Sequence, residues 1–173
     1  RSPAGPPPPQ SSSRAHLGSA PFYLADAAPA RIRAGPLAWS MDLPMGNTAI
    51  QPIELAREVE ARGFDALWFP EHSHIPVSRR TPWGGREGAP PLPDMYWRSH
   101  DQFVALTAAA VSTTTLRVGT GITLVAQRDP LWLAKEVASL DMISGGRFIF
   151  GIGYGWNHEE MADHGIDVKR RRG

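Results

Sequence analysis

Glu71-His72-Ser73-His74 sets a carboxylate, two imidazoles and a hydroxyl in four consecutive residues, directly after an apolar run that ends at Phe69-Pro70. A carboxylate beside an imidazole suits proton transfer near neutral pH. His72 and His74, two apart, equally suit a divalent metal of the kind that activates water in hydrolases. Further ligands for such a metal would be His100, Asp101 and His158, none of them well placed to converge. Two glycine clusters, Gly119-Thr120-Gly121-Ile122-Thr123 and Gly151-Ile152-Gly153-Tyr154-Gly155-Trp156-Asn157, complete the chemically suggestive set. Gly121 inside an apolar strand marks a bulge or a close ligand approach, unless it serves only packing. Gly151, Gly153 and Gly155 either permit tight turns or let backbone N–H groups cradle a phosphate at a helix start. They are not a dinucleotide fingerprint, because Trp156 stands where the third glycine belongs.

These residues need elements to hold them, and the pattern supplies alternating helices and strands. Pro52 suits a first helical position, Leu55, Ile53, Ala56 and Val59 mark an apolar face, and Gly63 stops the helix. Phe64–Phe69 reads as a strand apolar on both sides, as a covered parallel sheet requires. The polar stretch from Glu71 to His100 is longer than an ordinary connection and suits a binding loop. Its Arg79, Arg80, Arg86 and Arg98 either meet an anionic ligand or are simply solvated. Asp101 caps a helix over Gln102–Ser112 that buries Phe103, Leu106, Ala110 and Val111. Leu116–Val125 is the next strand. Asp129-Pro130 opens a helix to Ser144, closed by Gly145-Gly146. Arg147–Gly153 is a third strand, and a helix beginning at Asn157 or His158 runs on toward the chain end. Lys169-Arg170-Arg171-Arg172 reads as the exposed start of a helix, not a nucleic-acid signal.

No hairpin turn joins successive strands, so the order predicts an α/β fold with parallel strands and helical crossovers. An open doubly wound sheet and part of an eight-stranded barrel both satisfy it. In either, ligands bind at the carboxyl ends of strands, which brings the Glu71-His72 and glycine clusters to one face.

Composition narrows the class. The 173 residues carry 18 Lys+Arg against 17 Asp+Glu, a balance that gives no electrostatic case for nucleic acid or an anionic membrane. No apolar run approaches the roughly 18 residues of a spanning helix. Zero cysteines exclude disulfide scaffolds, thiol catalysis and Cys-ligated zinc, and fit a reducing cytoplasm. Of 17 prolines, ten lie at or before Pro52 and none after Pro130, so residues 1–36 read as a disordered Pro/Ser-rich extension. Residues 37–173 form the folded part.

Several runs together are specific. Glu54-Leu55-Ala56-Arg57, Arg62-Gly63-Phe64-Asp65-Ala66-Leu67-Trp68, Glu71-His72, Leu116-Arg117-Val118-Gly119-Thr120-Gly121 and Asp129-Pro130 stand in order, followed by Ala134–Asp141, Ser144–Phe148 and Gly151–Asn157. Over about residues 50–173 the chain resembles the luciferase-like flavin and deazaflavin oxidoreductases. His72-Ser73-His74-Ile75-Pro76 with Arg79-Arg80-Thr81-Pro82 is most similar to the branch using coenzyme F420, FMN being the alternative cofactor.

The resemblance implies a luciferase-like (β/α)8 TIM barrel, of which this chain holds the N-terminal half. Strands two to four are clear, strand one is doubtful because Gly35-Pro36 interrupts Ile32–Ser40, and strands five to eight are absent. It implies a cofactor across the strand ends, with a cis peptide between Gly121 and Ile122 behind its ring. Glu71 and His72 become the catalytic candidates. His72, Gly121, Ile122, Gly153, Tyr154, Gly155 and Asn157 become the cofactor contacts, with no metal, and the reaction is hydride transfer or monooxygenation of a small organic molecule. A half-barrel leaves apolar strand edges, which invites a homodimer. A metal-dependent hydrolase built on His72 and His74, or an inert fragment, are the competing expectations.

Overall fold

The computed structural model describes residues 50–171 in full and the backbone of Leu37–Trp39. The expected extension over 1–36 lies outside the described residues. Among the described residues four α-helices and six strands follow one another: β1 (Leu37–Trp39), α1 (Pro52–Ala61), β2 (Ala66–Phe69), α2 (Gln102–Val111), β3 (Arg117–Thr120), β4 (Thr123–Leu124), α3 (Pro130–Ser144), β5 (Phe148–Ile149), β6 (Ile152–Gly153) and α4 (His158–Asp163). The main sheet has the order β1-β2-β3-β5, and every pair in it is parallel. A second parallel pair, β4 with β6, continues β3 and β5 beyond a break.

Strand one is therefore present, against the expectation of doubt. Leu37 pairs with Ala66 and Trp39 with Trp68. Proline lacks a ladder donor, and the strand simply starts after Pro36. The two strands read as continuous are instead interrupted at the same level. Thr120 Oγ1 bridges the breaks, donating to the Gly151 carbonyl and accepting the Gly151 N–H, each at 2.8 Å.

Leu67, Phe69 and Val118 of the sheet pack against Leu55, Ala56 and Val59 of α1, Phe103 and Leu106 of α2, and Leu140 of α3. Fully burying one such side chain stabilises by about 1.5–3 kcal/mol. Two expected core residues are outside. Ile53 is 41% exposed and Val111 64%. At 100° per residue they lie roughly 110° and 150° round their helices from the buried stripes.

Caps behave as their residue types require. Asp101 accepts the Val104 N–H, Asp129 those of Leu131 and Trp132. Gly145, at φ 68°, ends α3 in the left-handed conformation that favours glycine. α4 does not run on as expected; it stops at Asp163, with a short 3-10 turn at Val168–Arg170 in place of a basic helix. No helix among the described residues is long and apolar enough to cross a membrane.

Candidate functional site

Parallel pairing puts the carboxyl ends of β2, β3 and β5 on one side of the sheet. There Pro70, Glu71, His72, Gly121, Ile122, Gly155 and Trp156 line a cleft of about 250 Å³, with Trp83, Gly84 and Tyr96 of the long loop as its far wall. The Gly121–Ile122 peptide bond is cis, as expected. Gln102, 1% exposed, ties the residues that follow that bond to the end of β2. Its Nε2 donates to the Phe69 carbonyl at 2.7 Å and toward that of Ile122 at 3.4 Å, while its Oε1 accepts the Thr123 hydroxyl at 2.8 Å. A buried amide with both ends partnered is a rigid strut.

Glu71 and His72, adjacent in sequence, face different neighbours. The Glu71 carboxylate accepts the Leu124 N–H and the Nε–H of Arg128, the latter at 2.7 Å. Arg128 also reaches Glu136 at 2.7 Å and lies 4.8 Å over the Phe103 ring. Burial pulls the Arg128 pKa down, but the Glu71 hydrogen bond and charge, with Glu136 and Asp101, more than offset it and raise it. Glu71 thus holds β4 and the start of α3 together. It also lines the cleft.

His72 is turned to α4, where its Nδ1 lies 2.8 Å from Glu160 Oε2. The Tyr96 and Trp156 rings flank the imidazole at 5.4 and 5.6 Å, and the Arg79 guanidinium sits 5.7 Å over Trp156. One short helix clamps this whole loop. Glu160 accepts the Ser73 N–H at 2.9 Å, Asp163 pairs with His74 Nε2 at 2.9 Å, and His164 Nε2 lies 2.7 Å from Ser73 Oγ. Glu159 accepts the N–H groups of Arg80 and Thr81 at 3.0 and 3.2 Å. Burial raises the Glu159 pKa, yet the hydrogen bonds from Thr81 and Arg80 dominate and lower it to about 2.

Of the expected cofactor contacts, His72, Gly121, Ile122 and Gly155 line the cleft. Gly153, Tyr154 and Asn157 stand outside its lining. A Cβ on Gly153 would collide with the Ile122 side chain, so this glycine makes room for Ile122. Asn157, 1% exposed, caps α4 by accepting the Glu160 N–H. Its Nδ2, and the Nε2 of Gln127 beside Gly155, are buried without a partner among the described residues. His72 and His74 bind different carboxylates, and no group of three or more His, Cys, Asp or Glu among the described residues could hold a metal ion.

Sequence reasoning missed Glu160, Gln102, Arg128, Trp83 and Tyr96. Glu160 had a signal that concealed it: three residues after Asn157, it reads as an ordinary capping partner. The distance of 88 positions between His72 and Glu160 has no local signature.

Comparison with known proteins agrees with this geometry. The model of the luciferase-like monooxygenase family matches residues 28–173. An uncharacterised protein of Mycobacterium tuberculosis (strain ATCC 25618 / H37Rv) is 42% identical over 128 residues, covering 73% of this chain and 45% of that protein. The chain thus spans less than half the length of such curated relatives. Two solved structures share its fold. The coenzyme F420-dependent tetrahydromethanopterin reductase of Methanopyrus kandleri is 26% identical with a TM-score of 0.51, over 78% of this chain and 30% of that one. The oxygenating constituent of 3,6-diketocamphane monooxygenase from the CAM plasmid of Pseudomonas putida, solved with FMN, is 21% identical with a TM-score of 0.52, over 68% and 27%. With the family match covering the described α/β region and its cleft, the chain belongs to the luciferase-like monooxygenase family.

Proposed function

We propose that this polypeptide is the N-terminal half of a luciferase-like TIM-barrel oxidoreductase and seats the ring of a deazaflavin or flavin cofactor, F420 first and FMN second. The observation that carries this is the meeting of His72, the Gly121–Ile122 bond and Gly155-Trp156 around one cleft. Its walls fit a flat ring. Trp83, Tyr96 and Trp156 supply aromatic faces, and Ile122, 37% exposed, supplies an apolar floor. At about 250 Å³ the cleft is just under the ~300 Å³ at which ligand pockets usually begin. It takes a ring and leaves a cofactor's tail outside.

When bound, such a ring supplies the hydride chemistry. The chain's residues bind and orient it. Ile122 sets the face it rests on, Gln102 keeps that backbone from shifting, and Glu71 with Arg128 braces the strand end beside it. His72, which lines the cleft, is the residue that exchanges a hydrogen bond or proton with the ring edge. The substrate is a small organic molecule, and both hydride transfer and monooxygenation are open to this architecture. A cytoplasmic setting belongs to the same reading. So does self-association through the β5–β6 side, where Phe150 and Ile152 are 39% and 56% exposed.

Titrating the purified chain with F420 and with FMN, while following ring fluorescence, tests the assignment. Saturable quenching by one of them, weakened at least tenfold in His72→Ala, is expected. Quenching by neither overturns it. The hydrolase alternative has less support, since its two histidines do not converge on a common metal position.

A further inference from the structure

A neutral imidazole carries its proton on one of two nitrogens, and the tautomer decides what the ring offers a ligand. His72 Nδ1 lies 2.8 Å from Glu160 Oε2. An ionised carboxylate accepts hydrogen bonds and donates none. The other Glu160 oxygen accepts the Ser73 N–H at 2.9 Å and lies 3.3 Å from Ser73 Oγ. The Glu160 side chain is 0% exposed and that of His72 9%, so water does not compete for the contact. Of the other titratable groups nearby, Glu71 is engaged with Arg128, His74 with Asp163, His164 with Ser73 and Glu159 with Arg80 and Thr81, while the Tyr96 ring stands 5.4 Å from the imidazole. On the opposite edge of the imidazole, Nε2 has no partner among the described residues, in a ring that lines the cleft.

We infer that Glu160 is the positioning residue of His72: it holds the imidazole in its Nδ1–H form and so presents Nε2 to the cleft as a hydrogen-bond acceptor. The ligand atom seated against His72 is then an N–H or O–H donor. A carbonyl, carboxylate or phosphate oxygen fits that position only against the protonated ring, whose Nε2 donates. A second-layer carboxylate fixes which nitrogen faces outward, as in metal sites where an acid orients a ligating histidine. The tautomer stands without any ligand; only its consequence for the ligand rests on the reading of the cleft as a ring site.

The experiment is a long-range ¹H–¹⁵N spectrum of the histidine side chains in the ¹⁵N-labelled chain, at a pH where the rings are neutral. Signals absent in His72→Gln identify His72. Native protein is expected to show His72 with protonated Nδ1 and bare Nε2, and Glu160→Ala to release it to a mixture of tautomers. Protonated Nε2 in the native chain overturns the inference, as does a Glu160→Ala spectrum identical to the native one. Should Glu160→Ala not fold, the native spectrum alone decides. The ring titration then separates the two claims. Glu160→Ala is expected to weaken binding about tenfold. A native Nδ1–H signal with no ring binding leaves the tautomer standing and the redox reading fallen, whereas ring binding with a native Nε2–H signal does the reverse.

Discussion

At the amino-terminal end of the sheet, Arg147 donates to the carbonyls of Leu116, Ala110 and Ser144, each at 2.7 Å, and to the Thr113 hydroxyl at 3.2 Å. Beside it, Glu60 accepts the N–H groups of Thr114, Thr115 and Leu116 and the Thr115 hydroxyl. At the carboxyl end, Glu71, Glu159 and Glu160 grip backbone in the same way. The first region ties helix ends to strand starts, as stability at the bottom of such folds requires. The second leaves a cleft open and polar atoms of Asn157, Gln127 and His100 buried without partners among the described residues. Similar devices therefore serve different ends: the lower clamp ties a scaffold together, and the upper one stands beside an open cleft and buried polar atoms that have no partner among the described residues.

That contrast predicts separable mutants. Arg147→Ala strands several carbonyls and should cost about 3 kcal/mol in urea unfolding. A loss under about 1 kcal/mol would show that the lower clamp is ornamental. Gly151→Ala drives a methyl into the Thr120 carbonyl oxygen, backbone that cannot swing aside. It should cost about 2 kcal/mol and, because Gly151 sits at the shared break of both strands, should be the one lesion that also weakens ring binding. His72→Ala should do the converse of Arg147→Ala, with ring affinity down at least tenfold, about 1.4 kcal/mol, and a far smaller effect on stability.

Glu60→Gln should cost about 1 kcal/mol near neutral pH, a figure kept low by solvent screening. The hydrogen bond from the Thr115 N–H, outweighing desolvation and joined by those of Leu116 and Thr114, lowers the Glu60 pKa from 4.5 to about 2. A carboxylate depressed in the folded state stabilises above its unfolded pKa and loses that contribution as pH falls through the folded one. Part of the acid-induced loss between about 4.5 and 2 should vanish in Glu60→Gln. Ile53→Gln, at a residue 41% exposed, should change stability by less than about 0.5 kcal/mol. A larger change would mean that α1 is covered on its outer face.

Local rules settled a good deal from the sequence alone. Pro52, Asp101, Asp129 and Gly145 placed helix ends within a residue, because caps act on neighbouring backbone groups and nothing distant. Apolar runs flanked by helical periodicity were enough for parallel strands, and parallel strands were enough to send Glu71-His72 and both glycine clusters to one face. Only the tertiary structure decided what those residues touch. Thr120 locking the breaks to Gly151, Glu71 turned to Arg128, and Glu160 rather than Glu71 holding His72 are all contacts across 31 to 88 positions. Such pairings follow from the rotation of each strand end and from which side chain fills the remaining space. Neither quantity is written in the spacing of residues along the chain, since both arise only once the helices have packed against the sheet.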